Sequence, residues 1–282
     1  MISQVSCLQR LSRWFEKHLS GRVSSHGDGS AVPNSGKKRK KKVIAASVLA
    51  VLFVLAGIFT WYVNDYYTPQ TLALEALQPG DDINVYQRDN MTVFEPVAFS
   101  RELGVIFYPG GKVDARAYAP VLREIAQAGY RVVVLDMPFR LAVLAPNRGT
   151  VAIEEFADTE GWVLIGHSLG GAMGSRFAAN NPSDVRGLVL WASYPAGDIS
   201  DSNLAVLSVY GTRDGLATVE KVLDSRENLP SDAVFIPIYG GNHANFGAYG
   251  PQDGDLAPYI TQKEQHRLVA EATIEFLRSL GR

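Results

Sequence analysis

Hydrophobic and polar positions divide the chain into stretches of different character. Residues 43–63 form an uninterrupted run without a charge. At about 1.5 Å per residue, a helix of that length crosses a hydrocarbon core of about 30 Å. Beyond Ile83 the pattern changes to short apolar runs separated by segments of helical period. Residues 83–86 and 91–97 predict an opening pair of strands. Residues 104–108, 131–135, 163–166, 187–191, 205–210 and 233–238 predict buried strands. Tyr118, Val121, Leu122, Ile125 and Ala126 mark one face of a helix closed by Gly129. Thr261 and Glu264 form a capping box for a last helix whose apolar face is Leu268, Ala272, Phe276 and Leu280. Short apolar strands alternating with amphipathic helices predict an α/β fold. Its sheet is doubly wound and mostly parallel, with helices on both faces.

Charge sharpens this division. Residues 1–42 carry ten Lys and Arg against Glu16 and Asp28, whereas residues 64–282 carry 17 basic and 27 acidic side chains. A basic head on an acidic body argues against nucleic acid as a partner, because the body repels phosphate. The six cations at 37–42 abut the apolar run, and Trp61, Tyr62, Tyr66 and Tyr67 gather at its far end like an interfacial belt. No small-residue cleavage site follows, so the run reads as a retained anchor and not a removable signal. The cationic flank places the N-terminus in the cytoplasm, with a single pass through the cell membrane and the large domain outside the cytoplasm. The expected organisation is a largely disordered basic tail at 1–42, a transmembrane helix at 43–63 that contacts the lipid bilayer, a stalk at 64–80 and a globular domain at 81–282. Leu8, Leu11 and Phe15 recur at helical spacing within the tail, and residues 20–36 read as a flexible linker. Cys7 is the single cysteine. The large domain therefore contains neither a disulfide framework nor a cysteine-rich metal site.

Candidate chemistry centres on Gly166-His167-Ser168-Leu169-Gly170-Gly171. An apolar strand precedes it and the small-residue run Ala172-Met173-Gly174-Ser175 follows. The chain must reverse between strand and helix, which puts Ser168 on a tight turn. Side chains at 166 and 170 would collide with the neighbouring elements, as in a G-x-S-x-G nucleophile elbow. A serine hydroxyl needs a base. His18 and His26 lie in the tail, His266 lies among charged residues of the last helix, and His167 adjoins the serine and cannot readily fold back onto it. His243, in a glycine-bearing loop directly after a strand, remains. A carboxylate must then fix the imidazole tautomer. Asp214 follows a strand end and gives the order Ser, Asp, His. Asp198 and Asp201 compete from a preceding loop, and Asp136 ends an earlier strand. Oxyanion donors are expected from the amide of Leu169 and from the turn after residues 104–108, at Gly111 or, as runner-up, Lys112.

Four stretches then carry a resemblance: residues 108–114 (YPGGKVD), 166–171 (GHSLGG), 211–214 (GTRD) and 241–244 (GNHA). Over residues 103–280 the chain resembles the α/β-hydrolase superfamily, in its dienelactone-hydrolase-like or α/β hydrolase fold-5 branch. The resemblance implies a Ser168/Asp214/His243 triad with an oxyanion hole at Leu169 and Gly111, and neither metal nor organic cofactor. The nucleophile is serine and not the cysteine of dienelactone hydrolases, which weakens any transfer of their substrate. The chain also lacks the long insertion that forms a large lid in many lipases, so a shallow, open site and preference for short acyl groups are expected.

The reading is a membrane-anchored serine hydrolase that cleaves an ester or related acyl bond of a small molecule through an acyl-enzyme on Ser168. Two rivals are an acyltransferase using the same triad on an envelope acceptor and a non-catalytic binding domain that kept the fold.

Overall fold

The computed structural model describes residues 35–98 and 101–281. The N-terminal amphipathic segment, Cys7 and most of the linker therefore lie outside the described residues. The chain divides into two compact units, Met1–Leu55 and Ala56–Arg282. Helix α1 runs over Ser35–Asn64, and its Arg39–Asn64 portion is long and apolar enough to cross a membrane. The helix begins ahead of the expected limit at 43, so the basic run at 37–42 is helical and not part of a disordered tail. Lys and Arg are good helix formers, and the apolar run beyond them supplies the propagating turns.

The second unit is built on one eight-stranded sheet. Its strands are β1 (Ile83–Arg88), β2 (Met91–Pro96), β3 (Leu103–Tyr108), β4 (Val132–Leu135), β5 (Gly161–His167), β6 (Val185–Trp191), β7 (Ala205–Gly211) and β8 (Val234–Ile238). They lie in the order β1-β2-β4-β3-β5-β6-β7-β8. The β1/β2 and β2/β4 pairs are antiparallel, and every pair from β4 to β8 is parallel. Successive side chains point to opposite faces. Val105, Phe107, Val163, Ile165, Val189 and Trp191 enter one core, whereas Ile106, Tyr108, Leu164, Leu188 and Leu190 enter the other. Both faces are buried, which is why these strands read as continuous apolar runs.

The helices after α1 are α2 (Thr71–Ala76), α3 (Ala119–Gln127), α4 (Gly149–Glu155), α5 (Leu169–Asn180), α6 (Val219–Asp224) and α7 (Gln262–Leu280). Leu268, Ala272, Phe276 and Leu280 pack against the core as expected, though partly buried, and beside them Gln265, His266, Val269, Ala270, Thr273 and Leu277 are enclosed. Two details of α7 correct the sequence reading. His266 is therefore a core residue and not one of a charged surface. The Thr261 hydroxyl accepts from the Glu264 amide at 3.2 Å, but the Glu264 carboxylate turns to Arg267 instead of completing the capping box.

The expected stalk at 64–80 is instead part of the globular unit. The Tyr67 amide donates to the Lys112 carbonyl at 2.8 Å, and the Asp114 amide donates to the Tyr67 carbonyl at 3.0 Å. Helix α2 buries Ala73 completely against this unit, with Ala76 and Leu77 reaching the same core as α3. Six residues whose buried anchor is one alanine leave too weak a period to be seen in sequence.

Candidate active site

Ser168 sits between β5 and α5 with φ 51° and ψ −123°. That left-handed strain is maintained by its surroundings. A β-carbon at Gly166 would come within 2.5 Å of the Gly171 backbone, and one at Gly170 would collide with the Tyr108 carbonyl oxygen at the end of β3. Only glycine lets helix and strands approach this closely. The Ser193 hydroxyl, just past β6, donates to the Ser168 carbonyl at 2.7 Å and ties down the far side of the turn.

Asp214 and His243 follow β7 and β8. Nδ1 of His243 lies 2.8 Å from Asp214 Oδ2, and both side chains are buried. The other carboxylate oxygen, Oδ1, accepts from the amides of Leu216 and Ala217 at 2.8 and 2.7 Å. Because a carboxylate accepts, Nδ1 carries the proton, and Nε2 is left with its lone pair. His243 Nε2 is buried and has no hydrogen-bond partner among the described residues. Ser168 and His243 line one cleft of about 280 Å³, together with Leu169, Ala172, Tyr194 and Ala217. No hydrogen bond joins the Ser168 hydroxyl to the imidazole; such bonds often tighten only around bound substrate. The competing carboxylates lie apart from this pairing: Asp198 is exposed and accepts from Ser200, and Asp136 lines a separate cleft of about 500 Å³ with Arg116 and Arg140.

The turn after β3 narrows the choice of oxyanion donor. The Gly110 amide donates to the Tyr118 hydroxyl at 3.1 Å, and the Lys112 amide donates to the Arg140 carbonyl at 2.9 Å. Both are occupied, so Gly111 is the remaining loop amide. A β-carbon there would approach Leu169 Cδ2 to 3.0 Å, so Gly111 lies directly against the residue after the serine. The Leu169 amide opens α5 and, as a first-turn N–H, has no carbonyl of its own helix to meet.

Sequence reasoning missed the struts behind these groups. His167, set aside as a base, is fully buried with Nε2 3.2 Å from the His243 carbonyl and Nδ1 2.8 Å from the Tyr118 hydroxyl. The carbonyl can only accept, so Nε2 donates to it and Tyr118 donates to Nδ1. Burial, reinforced by the neighbouring His243, holds the His167 pKa well below the ordinary histidine range. Tyr118 and His167 thereby link the oxyanion turn to the histidine loop. Asp255 fastens that loop from outside: Oδ1 accepts from the amides of Gly215 and His243, and Oδ2 from that of Ala244. The Gln265 side chain grips Asn242 at both its amide and its carbonyl. Nothing local in sequence marks Asp255, which precedes no periodic run. His167 is visible only through its place at the elbow.

Comparisons with known proteins agree with this architecture. A profile described as the alpha/beta hydrolase family matches residues 104–267, more than half of the chain. A protein of Mycobacterium phage D29 that carries the name non-heme haloperoxidase is 32% identical over 95 residues, covering 30% of this chain. The match spans about a third (34%) of that relative's length. Among solved structures, a thermostable esterase from Pseudomonas putida aligns with a TM-score of 0.53 at 14% identity, covering 74% of this chain and 87% of its own. An esterase from Pyrobaculum calidifontis aligns with a TM-score of 0.52 at 15% identity, covering 73% and 89%. At such identities the structural likeness speaks to the fold. From the elbow, the strand order and the profile match together, the chain belongs to the α/β hydrolase family.

Proposed function

We propose that the protein is a membrane-anchored serine hydrolase that cleaves an ester or related acyl bond of a small molecule. The observation that carries this reading is the buried Asp214–His243 pair at 2.8 Å, in which Nε2 is unpartnered and His243 lines the cleft that also holds Ser168. In this reading His243 Nε2 takes the hydroxyl proton as Ser168 Oγ attacks the acyl carbon. Asp214 holds the tautomer and stabilises the imidazolium. Negative charge developing on the carbonyl oxygen meets the amides of Leu169 and Gly111 at the positive end of α5. His243 then returns the proton to the departing oxygen, leaving Ser168 acylated. Water, deprotonated by the same imidazole, releases the acid and restores the hydroxyl. The steps call on no metal or organic cofactor.

Length and polarity support placing α1 in a bilayer, and the cations at 37–42 favour a cytoplasmic N-terminus with the hydrolase unit on the other side of the cell membrane. The small cleft favours short acyl groups. Purified protein and a Ser168→Ala variant, assayed on chromogenic esters of graded acyl length, test the reading. Turnover should be fastest on acetyl to butyryl esters and should fall at least a thousandfold in the variant. Faster turnover of long-chain esters would contradict the size argument, and full activity of the variant would contradict the mechanism. Assays with and without an added acceptor alcohol separate hydrolysis from acyl transfer.

A further inference from the structure

The connection between β4 and α4 has a composition unlike the rest of the acidic unit. Residues 136–148 carry Arg140 and Arg148 against Asp136 alone. Within this connection Phe139, Val143 and Leu144 are each about half exposed, at 52%, 52% and 51%. Phe139 and Arg140 both have positive φ, 51° and 60°, so the backbone here is held in the left-handed region that non-glycine residues rarely adopt. Apolar side chains exposed in this way, rimmed by cations, mark an interaction surface. Their neighbour identifies the partner. The Phe139 ring meets the Phe59 ring edge-on at 5.3 Å, and Phe59 belongs to the last two turns of the apolar helix. The Arg140 guanidinium lies 3.3 Å over the Tyr66 ring, beside the end of that helix. The same loop also accepts the Lys112 amide next to Gly111.

We propose that the β4–α4 connection at 138–144 rests in the bilayer surface that α1 enters, so that the Ser168 cleft acts on short acyl esters carried by membrane-resident molecules. The proposal rests on the anchored serine hydrolase reading and adds the source of its substrate. Three features favour a bilayer over a protein partner: continuity with the apolar helix, exposed aliphatic tips, and a connection of net positive charge on an otherwise acidic body. Anionic headgroups attract such cations while the tips enter the interface.

The test uses the full chain in vesicles of phosphatidylcholine and phosphatidylglycerol. In a Cys7→Ser background, a nitroxide is attached at Leu144→Cys and, as a control, at Ser183→Cys near the start of β6. The proposal expects the label at 144 to relax with oxygen, which partitions into lipid, and to be shielded from a water-soluble nickel chelate. The label at 183 should show the reverse. Equal chelate access at both positions, or failure of the chain to enter the vesicles, would overturn it. A second arm compares the native chain with Val143→Ser/Leu144→Ser on an acetyl ester of a membrane-spanning alcohol and on a water-soluble acetyl ester. Turnover of the membrane-borne ester should drop about tenfold, with the soluble ester unchanged. Equal rates on the membrane-borne ester would also overturn the proposal. If the soluble ester shows no Ser168-dependent turnover, the hydrolase reading fails alone, because the spin labels report bilayer contact without any catalysis.

Discussion

At the scale of single residues, the candidate site depends as much on groups that hold loops as on groups that would react. Asp255 joins the Asp214 turn to the His243 loop through three backbone amides. Asp255→Ala leaves those amides without their acceptor and lets the imidazole drift. Misplacement of a reacting group by about 1 Å costs on the order of a hundredfold in rate. We expect kcat on a soluble short-chain ester to fall by about that factor, with KM nearly unchanged. A rise in KM at constant kcat would show that Asp255 acts on substrate binding instead. The elbow at Ser168 and the strand-end loop at His243 each carry a local signature in the sequence, which makes them candidates before any loop is placed. The pairing of Asp214 with His243 followed from chain order. Asp255, Gln265 and Tyr118 were not legible, because their roles exist only once loops distant in sequence meet.

At the scale of elements, the strands were readable almost to the residue, since both faces of the parallel region are buried and the apolar runs are continuous. The short segment after α1 reads as a stalk in sequence but packs on the domain. Its hold on the domain comes from backbone pairing with residues 112–114, from Tyr67 and from a few small apolar residues of α2, none of which produces a clear period. Tyr67 stacks near Tyr249 at 5.5 Å, and its hydroxyl accepts from the Asp253 amide at 3.2 Å. Tyr67→Ala should therefore destabilise the domain by about 2 kcal/mol, below the range for a fully buried aromatic because Tyr67 is half-buried. Urea unfolding followed by tryptophan fluorescence measures this. A change within error of zero would mean that the segment is a tether after all. The capping box shows the opposite limit: its sequence pattern was present, but Arg267 offered Glu264 a charged partner that the local motif could not anticipate.

At the scale of the whole molecule, acid should weaken the fold through its buried histidines. Burial holds the His266 pKa at about 4, and His167 is also lowered. Unfolding returns both to about 6.5, so the unfolded chain binds more protons below that pH. The stability these neutral imidazoles contribute is fully present above pH 6.5 and is lost as pH falls toward 4. His266 Nε2 has no hydrogen-bond partner among the described residues, so His266→Gln sacrifices no bond from that nitrogen. Between pH 7 and pH 4 the native chain should lose about 3 kcal/mol more than His266→Gln. Parallel curves in urea melts across that range would show that residue 266 is not held neutral.

The proposed chemistry requires Ser168 to be a nucleophile made reactive by its neighbours. Incubation of the full chain with a fluorophosphonate, followed by proteolysis and mass spectrometry, measures this directly. One adduct is expected, on the peptide bearing Ser168, lost in Ser168→Ala and slowed at least a hundredfold in His243→Ala. An unmodified Ser168 peptide under conditions that label an active serine hydrolase, or labelling indifferent to His243, would contradict it.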